Sequence, residues 1–241
     1  MSDYQLPISH EMMSFEDSVV TSDLWDLQPA IAFSNPRTES WQYLFLKRLM
    51  DLCGVLGLLG LTLVPCIAIA AVLTATTNEP IFYREWRIGR GGRRFQIWKF
   101  RSMRSCDDRQ QNKVAASSNL LHWRTKKEGC DPRITPVGRF LRQWSLDELP
   151  QLINVLLGEM SLVGPRPVVS AEIPLYGIMR HYYYAATPGL SGLWQISGRS
   201  NIDFQARVTL DVSYVQGWSL WNDCKILLKT IPAVFLRTGA R

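Results

Sequence analysis

A chain of 241 residues, 46% hydrophobic and 20% charged, is long enough for one substantial domain with attachments and is neither wholly disordered nor collagenous. Its formal net charge of +6 hides an asymmetry: residues 1–40 hold seven acids and one base, a net of −6, and the other 201 residues hold 26 bases and 14 acids, a net of +12. The body therefore favours anionic partners such as phosphates, nucleic acid or acidic lipid, and charge alone does not choose among them. The five cysteines (Cys53, Cys66, Cys106, Cys130, Cys224) are scattered without a C-x-x-C pair, which points away from a disulfide framework or zinc site and towards a reduced, cytosol-facing compartment. His10, His122 and His181 are isolated, which argues against histidine-based metal or acid/base chemistry.

In chain order, the acidic segment 1–40 is too polar to pack and is expected to be a disordered tail. From Leu52 to Asn78 there is no charged residue, and Leu52 to Leu73 is dominated by Leu, Val, Ile, Ala and Gly. About 20 apolar residues cross a bilayer core, and a soluble core helix usually carries a polar stripe that this run lacks. A signal peptide is not expected, since the run begins at Leu52 behind an acidic tail rather than a basic one. Pro65 sits in the middle of the run, where it removes a helical hydrogen bond and clashes with the preceding turn, a disruption of ~3 kcal/mol. Both flanks are basic, with Lys47 and Arg48 before and Arg84, Arg87, Arg90, Arg93 and Arg94 after, so the positive-inside tendency places both ends in the cytoplasm. A re-entrant helix-break-helix over residues 41–79 satisfies both constraints; a single kinked spanning helix is the alternative.

After Pro80, the segments Ile81-Phe82-Tyr83-Arg84 and Gln96-Ile97-Trp98-Lys99-Phe100-Arg101 flank a glycine-containing turn and predict a β-hairpin. Eight bases and one acid lie between Arg84 and Arg104, interleaved with aromatics, a composition suited equally to a nucleic-acid groove and to a membrane surface. Residues 107–130 are polar and are expected to form a mobile excursion or a solvated helix without chemistry.

Ser145-Leu146-Asp147-Glu148-Leu149-Pro150-Gln151 followed by apolar Leu152 to Leu157 and Gly158 reads as a helix start and a buried helix. Ser145-x-x-Glu148 matches a capping box, which would explain Glu148 structurally, although Pro150 displaces or strains such a start. Adjacent carboxylates on a helix point about 100° apart and cannot flank a glycosidic bond as an acid/base pair. They can instead act as nucleophile and Mg²⁺ ligand in phosphoryl transfer, with Arg139, Arg142 and Arg166 as candidate phosphate-binding cations. In Gly164-Pro165-Arg166-Pro167, two prolines hold the backbone around one arginine; a plain surface turn is the alternative.

The stretch Ser145 to Leu152, with Asn154-Val155-Leu156 and Met160 to Pro167, closely resembles the signature of the bacterial sugar transferases, the monotopic phosphoglycosyl transferases. The resemblance covers nearly all of residues 45–241. It includes Arg87-x-Gly89-x-x-Gly92-x-x-Phe95, Lys99-Phe100-Arg101-Ser102-Met103, and Pro188-Gly189-Leu190-Ser191-Gly192-Leu193-Trp194-Gln195-Ile196-Ser197-Gly198-Arg199. It implies an α+β fold: a re-entrant membrane helix-break-helix joined to a mainly helical cytosolic catalytic domain (80–241) with a small β-hairpin, on the cytoplasmic face of a bacterial inner membrane. It implies transfer of a sugar 1-phosphate from a UDP-sugar to polyprenyl phosphate with release of UMP, Asp147 as nucleophile, Glu148 as its partner, and Mg²⁺ held by Glu148 and Asp147. Arg142, Arg166 and Arg101 would hold substrate phosphate.

The C-terminal stretch Tyr214 to Arg241 is most similar to the short exopolysaccharide-type members that transfer galactose 1-phosphate, with glucose 1-phosphate transferases as near neighbours. Two positions depart from the family's habit: Val64 where serine is common, and Ser191 where threonine is common. Membrane lipid is an expected partner and nucleic acid is not. A membrane-tethered nucleic-acid-binding protein leaves Asp147, Glu148 and the Pro-Arg-Pro segment unexplained, and a silent scaffold uses Glu148 only as a cap. Near the C-terminus, Leu227, Leu228, Ile231, Val234 and Phe235 can share one amphipathic face while Lys225, Lys229 and Arg237 reach head groups; core packing of that face is the alternative.

Overall fold

The computed structural model describes residues 40–104, 133–198 and 202–235. The acidic segment before residue 40, the polar stretch 107–130, Arg199, Arg237 and the side chain of Phe235 lie outside the described residues.

The apolar run forms helix α1 (Trp41–Thr76, 36 residues). At 1.5 Å per residue this is about 54 Å of helix, longer than a hydrocarbon core of about 30 Å. Hydroxyls inside the run bond back to the preceding turn, Thr62 to Leu58 O at 2.7 Å and Thr74 to Ala70 O at 2.8 Å, so they bring no unpaired polar group to the apolar surface. The helical backbone continues through Pro65, where the sequence predicts an interruption. Proline deletes one intrahelical donor, and the surrounding bonds keep the dihedrals helical. Val55 and Leu73 are buried against two different clusters of the body, whereas Leu56, Leu61, Leu63, Val64 and Ile67 between them are exposed. Among the described residues, α1 is the one helix long and apolar enough to cross a membrane.

The hairpin is present as expected: β1 (Phe82–Ile88) pairs antiparallel with β2 (Arg94–Phe100), from Phe82 opposite Phe100 to Ile88 opposite Arg94. Its turn passes through Gly91 at φ 65° and Gly92 at φ 77°, left-handed conformations that glycine adopts without a Cβ penalty. Phe95 and Ile97 of β2 enter the main core with Val55, Leu152, Val155 and Leu162. Helix α2 (Pro136–Gln143) starts on Thr135, whose side chain accepts the Gly138 N–H at 2.9 Å, with Pro136 in the first turn. Helix α3 (Gln151–Leu157) stops at Gly158, φ 82°. Then come β3 (Ser161–Val163), α4 (Arg180–Ala185), β4 (Gly189–Ser191), α5 (Leu193–Ile196), α6 (Phe204–Gln216) and α7 (Leu220–Phe235). β3 and β4 form a short parallel pair, Ser161 opposite Gly189 and Val163 opposite Ser191. The architecture of the described residues is mainly helical, with two two-stranded sheets.

A buried polar network ties α1 to this body. Lys47 Nζ lies 2.7 Å from Asp223 and donates to Val163 O at 3.0 Å, and Tyr214 and Trp218 also donate to Asp223. One turn on, Asp51 accepts from Ser161 Oγ and from the Leu162 N–H, both at 3.0 Å. Asp223 is fully buried, so removing its cation leaves a charge in a low-dielectric site. Lys47→Met is therefore expected to destabilise the fold by about 3–5 kcal/mol, read as a lower melting temperature in detergent. The double variant Lys47→Met/Asp223→Leu is expected to recover part of the loss.

Helix α7 divides the face predicted from its sequence. Ile226 is buried and Leu227 packs on the main core, whereas Leu228 and Ile231 are exposed together with Trp221, Lys225 and Lys229. Core packing and an outward apolar surface thus occupy different residues of one helix. Thr230 anchors the inner side through a 2.5 Å hydroxyl contact with Ser191, one of the two positions that depart from the family's habit.

Candidate active site

The carboxylate pair sits on a strained turn. Ser145 has φ 56°, the one positive φ at a non-glycine among the described residues, and it turns the chain from α2 into a 3₁₀ turn, Leu146–Glu148. The Ser145 side chain makes no capping bond and α3 begins only at Gln151 after Pro150, so the capping-box reading of Glu148 does not hold. Proline decides the outcome: placed before the first helical residue, it needs no N–H partner.

Two contacts fix α3, and with it the turn. Fully buried Asn154 completes the edge of β2, accepting the Trp98 N–H at 3.0 Å and donating to Gln96 O at 2.7 Å. Arg48 of α1 donates to Val155 O and Leu156 O, carbonyls of the last turn of α3, at 2.5 and 2.6 Å. The membrane-type helix and the hairpin are therefore both bonded to the helix that follows the pair.

Asp147 is buried, and Glu148 pairs with Lys99 of β2 at 3.2 Å. Burial, then the neighbouring Glu148 charge, push the Asp147 carboxyl up to about 6, with Lys99 and Arg142 pulling the other way. Glu148 and Lys99 line a pocket with Arg87, Arg166, Gln151 and Trp194. Three cationic side chains against one carboxylate make this pocket suited to a phosphate-bearing ligand.

Arg166 reaches the pocket from a segment pinned on both sides. On one side Gly164 N–H donates to Ser191 O at 2.9 Å and Gly189 N–H to Pro165 O at 2.8 Å. A Cβ on Gly189 would stand 2.0 Å from Gly164 N, so only glycine permits this approach. On the other side Ile88 N–H donates to Val168 O at 2.9 Å and Arg87 to Pro167 O at 3.2 Å. The Arg166 guanidinium lies 4.7 Å from the Trp194 ring centroid.

Behind Arg166, buried Asp211 accepts from the Arg166 backbone N–H and from Tyr176 Oη, the latter at 2.8 Å. Burial pushes the Asp211 carboxyl up to about 7 against the pull of Tyr176, Arg207 and Arg166. A carboxyl held above its unfolded value binds its proton more tightly in the folded state, so folding stability falls as pH rises from about 4 to 7. Relative to wild type, Asp211→Asn is expected to gain melting temperature across that window and to hold a constant offset above it.

The structure thus brings Glu148 and Arg166 into one pocket, whose lining includes neither Asp147 nor Arg142; buried Asp147 adjoins Glu148 in the chain, and Lys99 and Arg142 are near enough to act on it. Arg101 lies elsewhere: it bonds Pro80 O at 2.7 Å and pairs with Glu79 at 3.0 Å, bracing the connection from α1 to β1. Sequence reasoning did not assign Arg87, Lys99, Gln151 and Trp194 to the site, although all four fall inside the quoted motifs. No group of three or more His, Cys, Asp or Glu able to hold a metal occurs among the described residues. Mg²⁺ commonly takes one or two carboxylates and completes its shell with water and substrate phosphates, so Asp147 and Glu148 fit such an ion and not a closed protein cage.

Over 199 residues, 81% of this chain, the sequence is 46% identical to the UDP-galactose-lipid carrier transferase of Erwinia amylovora, of which the match spans 42%. It is 44% identical over 198 residues to the exopolysaccharide production protein ExoY of Sinorhizobium fredii, covering 80% of this chain and 87% of that one. To the UDP-glucose:undecaprenyl-phosphate glucose-1-phosphate transferase of Caulobacter vibrioides it is 38% identical over 203 residues, 80% of this chain and 71% of that one. The profile of the bacterial sugar transferases matches residues 42–237, and the chain belongs to that family.

Proposed function

We propose that this chain transfers hexose 1-phosphate, galactose in preference to glucose, from a UDP-sugar to polyprenyl (undecaprenyl) phosphate, releasing UMP at the start of exopolysaccharide or related glycan assembly. The observation that carries the reading is the pocket in which Arg87, Lys99 and Arg166 surround Glu148 beside buried Asp147. The names of the Erwinia and Caulobacter relatives supply the two sugars and the lipid acceptor.

In this reading an Asp147 carboxylate oxygen attacks the sugar-linked phosphorus. The bond from that phosphorus to the bridging oxygen breaks, UMP leaves with the bond's electrons, and an aspartyl phosphosugar remains. A phosphate oxygen of the polyprenyl phosphate then attacks the same phosphorus, restoring the carboxylate and giving a polyprenyl diphosphate sugar. Splitting the reaction lets a water-soluble donor and a lipid acceptor use one site in turn. Arg166 and Arg87 hold phosphoryl oxygens, and Lys99 fixes Glu148. When bound at Asp147 and Glu148, Mg²⁺ neutralises diphosphate charge that would repel the nucleophile.

The exposed apolar middle of α1 sits in the bilayer as a re-entrant element with both ends on the cytoplasmic face of the inner membrane, its helix unbroken at Pro65. Support comes from the basic flanks and from Val55 and Leu73, which place both halves of the helix against the same body. Thiol labelling of single cysteines placed before Lys47 tests the topology: reaction from the cytoplasmic side is expected, and reaction only from the periplasm contradicts it. For the activity, nanodisc-held protein with Mg²⁺, undecaprenyl phosphate and UDP-galactose or UDP-glucose is expected to release UMP, faster with galactose. Absence of UMP from either donor overturns the reading.

A further inference from the structure

Three N–H donors of the pocket residues have no acceptor among the described residues: Gln151 Nε2, Trp194 Nε1 and Arg87 Nε. Gln151 and Trp194 are only 3% and 7% exposed, so solvent does not readily satisfy them, and burying such donors without partners is unfavourable. They come from three separate elements, the first residue of α3, α5 and β1, and meet at one pocket.

In Arg87 and Trp194 the rest of the side chain is engaged. Arg87 donates through Nη1 to Pro167 O and pairs through Nη2 with Glu85, leaving Nε over. The Trp194 ring is in contact with Arg166, leaving its N–H edge. Among the side chains that line the pocket, the buried polar atoms left without a partner are thus all donors. A sugar hydroxyl brings a hydrogen that needs an acceptor, whereas a non-bridging phosphoryl oxygen only accepts. Two of the three donors are neutral, and neutral buried donors add geometric selection to the charge that Arg166 and Lys99 provide.

We propose that Gln151, Trp194 and Arg87 form a row of donors that grips the non-bridging oxygens of a diphosphate, aligning it against Asp147. The assignment of that diphosphate to a nucleotide sugar rests on the proposed function; the row itself does not. Trp194→Phe keeps an aromatic ring under Arg166 and removes only the N–H. Gln151→Met keeps length and volume and removes the amide.

Calorimetric titration of the nanodisc-held full chain with inorganic pyrophosphate, and separately with uridine, tests the row. Each variant is expected to bind pyrophosphate about tenfold more weakly than wild type, with uridine binding and melting temperature unchanged. Should one variant fail to fold, the other decides. Wild-type pyrophosphate affinity in a folded variant, no pyrophosphate binding by wild type, or a loss confined to uridine overturns the proposal. Parallel assay of UMP release separates the two readings: variant-sensitive pyrophosphate binding without turnover keeps the row and removes the enzyme function, and turnover with unaffected variants does the reverse.

Discussion

Asp147→Asn is expected to lower UMP release by at least about 10³-fold, the scale on which loss of a covalent nucleophile is felt. The amide is nearly isosteric and uncharged, so the buried position beside Glu148 tolerates it, and folding is retained. Its oxygen is a poor nucleophile towards phosphorus, so UMP release should vanish both with the lipid acceptor and with donor alone. Glu148→Gln makes an informative contrast. It loses the Lys99 ion pair and a charged metal ligand but leaves the Asp147 carboxylate in place, so donor binding is expected to outlast turnover. Equal single-turnover UMP yields from wild type and Asp147→Asn would remove Asp147 from the chemistry.

The second large effect is expected at Arg166. Its backbone is held by β4 through Gly164 and Pro165, by the end of β1 through Pro167 and Val168, and by Asp211, so the guanidinium is delivered on a rigid support. Arg166→Lys keeps the charge but replaces a planar fork by a point charge and weakens the contact with Trp194. A loss of about 10²-fold in kcat/KM is expected, in the range found when one preorganised donor to a developing oxyanion is removed. Wild-type kcat/KM in this conservative variant would place Arg166 outside the phosphate site.

Much of the scaffold could be read from the chain because local signals there agreed with tertiary packing. The hairpin followed from aromatic and β-branched segments around Gly91 and Gly92, and its strands run further towards the turn than expected, to Ile88 and from Arg94. That Glu148 and Arg166 belong together was legible through the motifs, and the structure lines one pocket with both. What escaped was long-range. Nothing near Lys99 announces that it will meet Glu148, 49 residues later in the chain. Asn154 stands within an apolar helical run, and nothing local announces that its amide completes the edge of β2. Arg101 shared a basic run with Lys99, but it lies just past β2 and braces the α1 connection. β3 and β4 are three residues each, too short for period-two alternation to show. Helix α1 stayed helical at Pro65 because the intrahelical bonds around it persist, and α7 split its apolar residues between core and surface because tertiary contacts rather than propensity decide which of them are buried.

The central claim is that the sugar phosphate passes through a covalent bond to Asp147. Rapid-quench mass spectrometry of the wild-type protein with UDP-galactose and Mg²⁺, without acceptor, measures this directly. The account requires a hexose-phosphate mass increase on the peptide carrying Asp147, formed in step with UMP and discharged when undecaprenyl phosphate is added. An enzyme that turns over with both substrates, yet shows no adduct with donor alone and follows sequential rather than ping-pong kinetics, would contradict it and mean direct attack by the lipid phosphate.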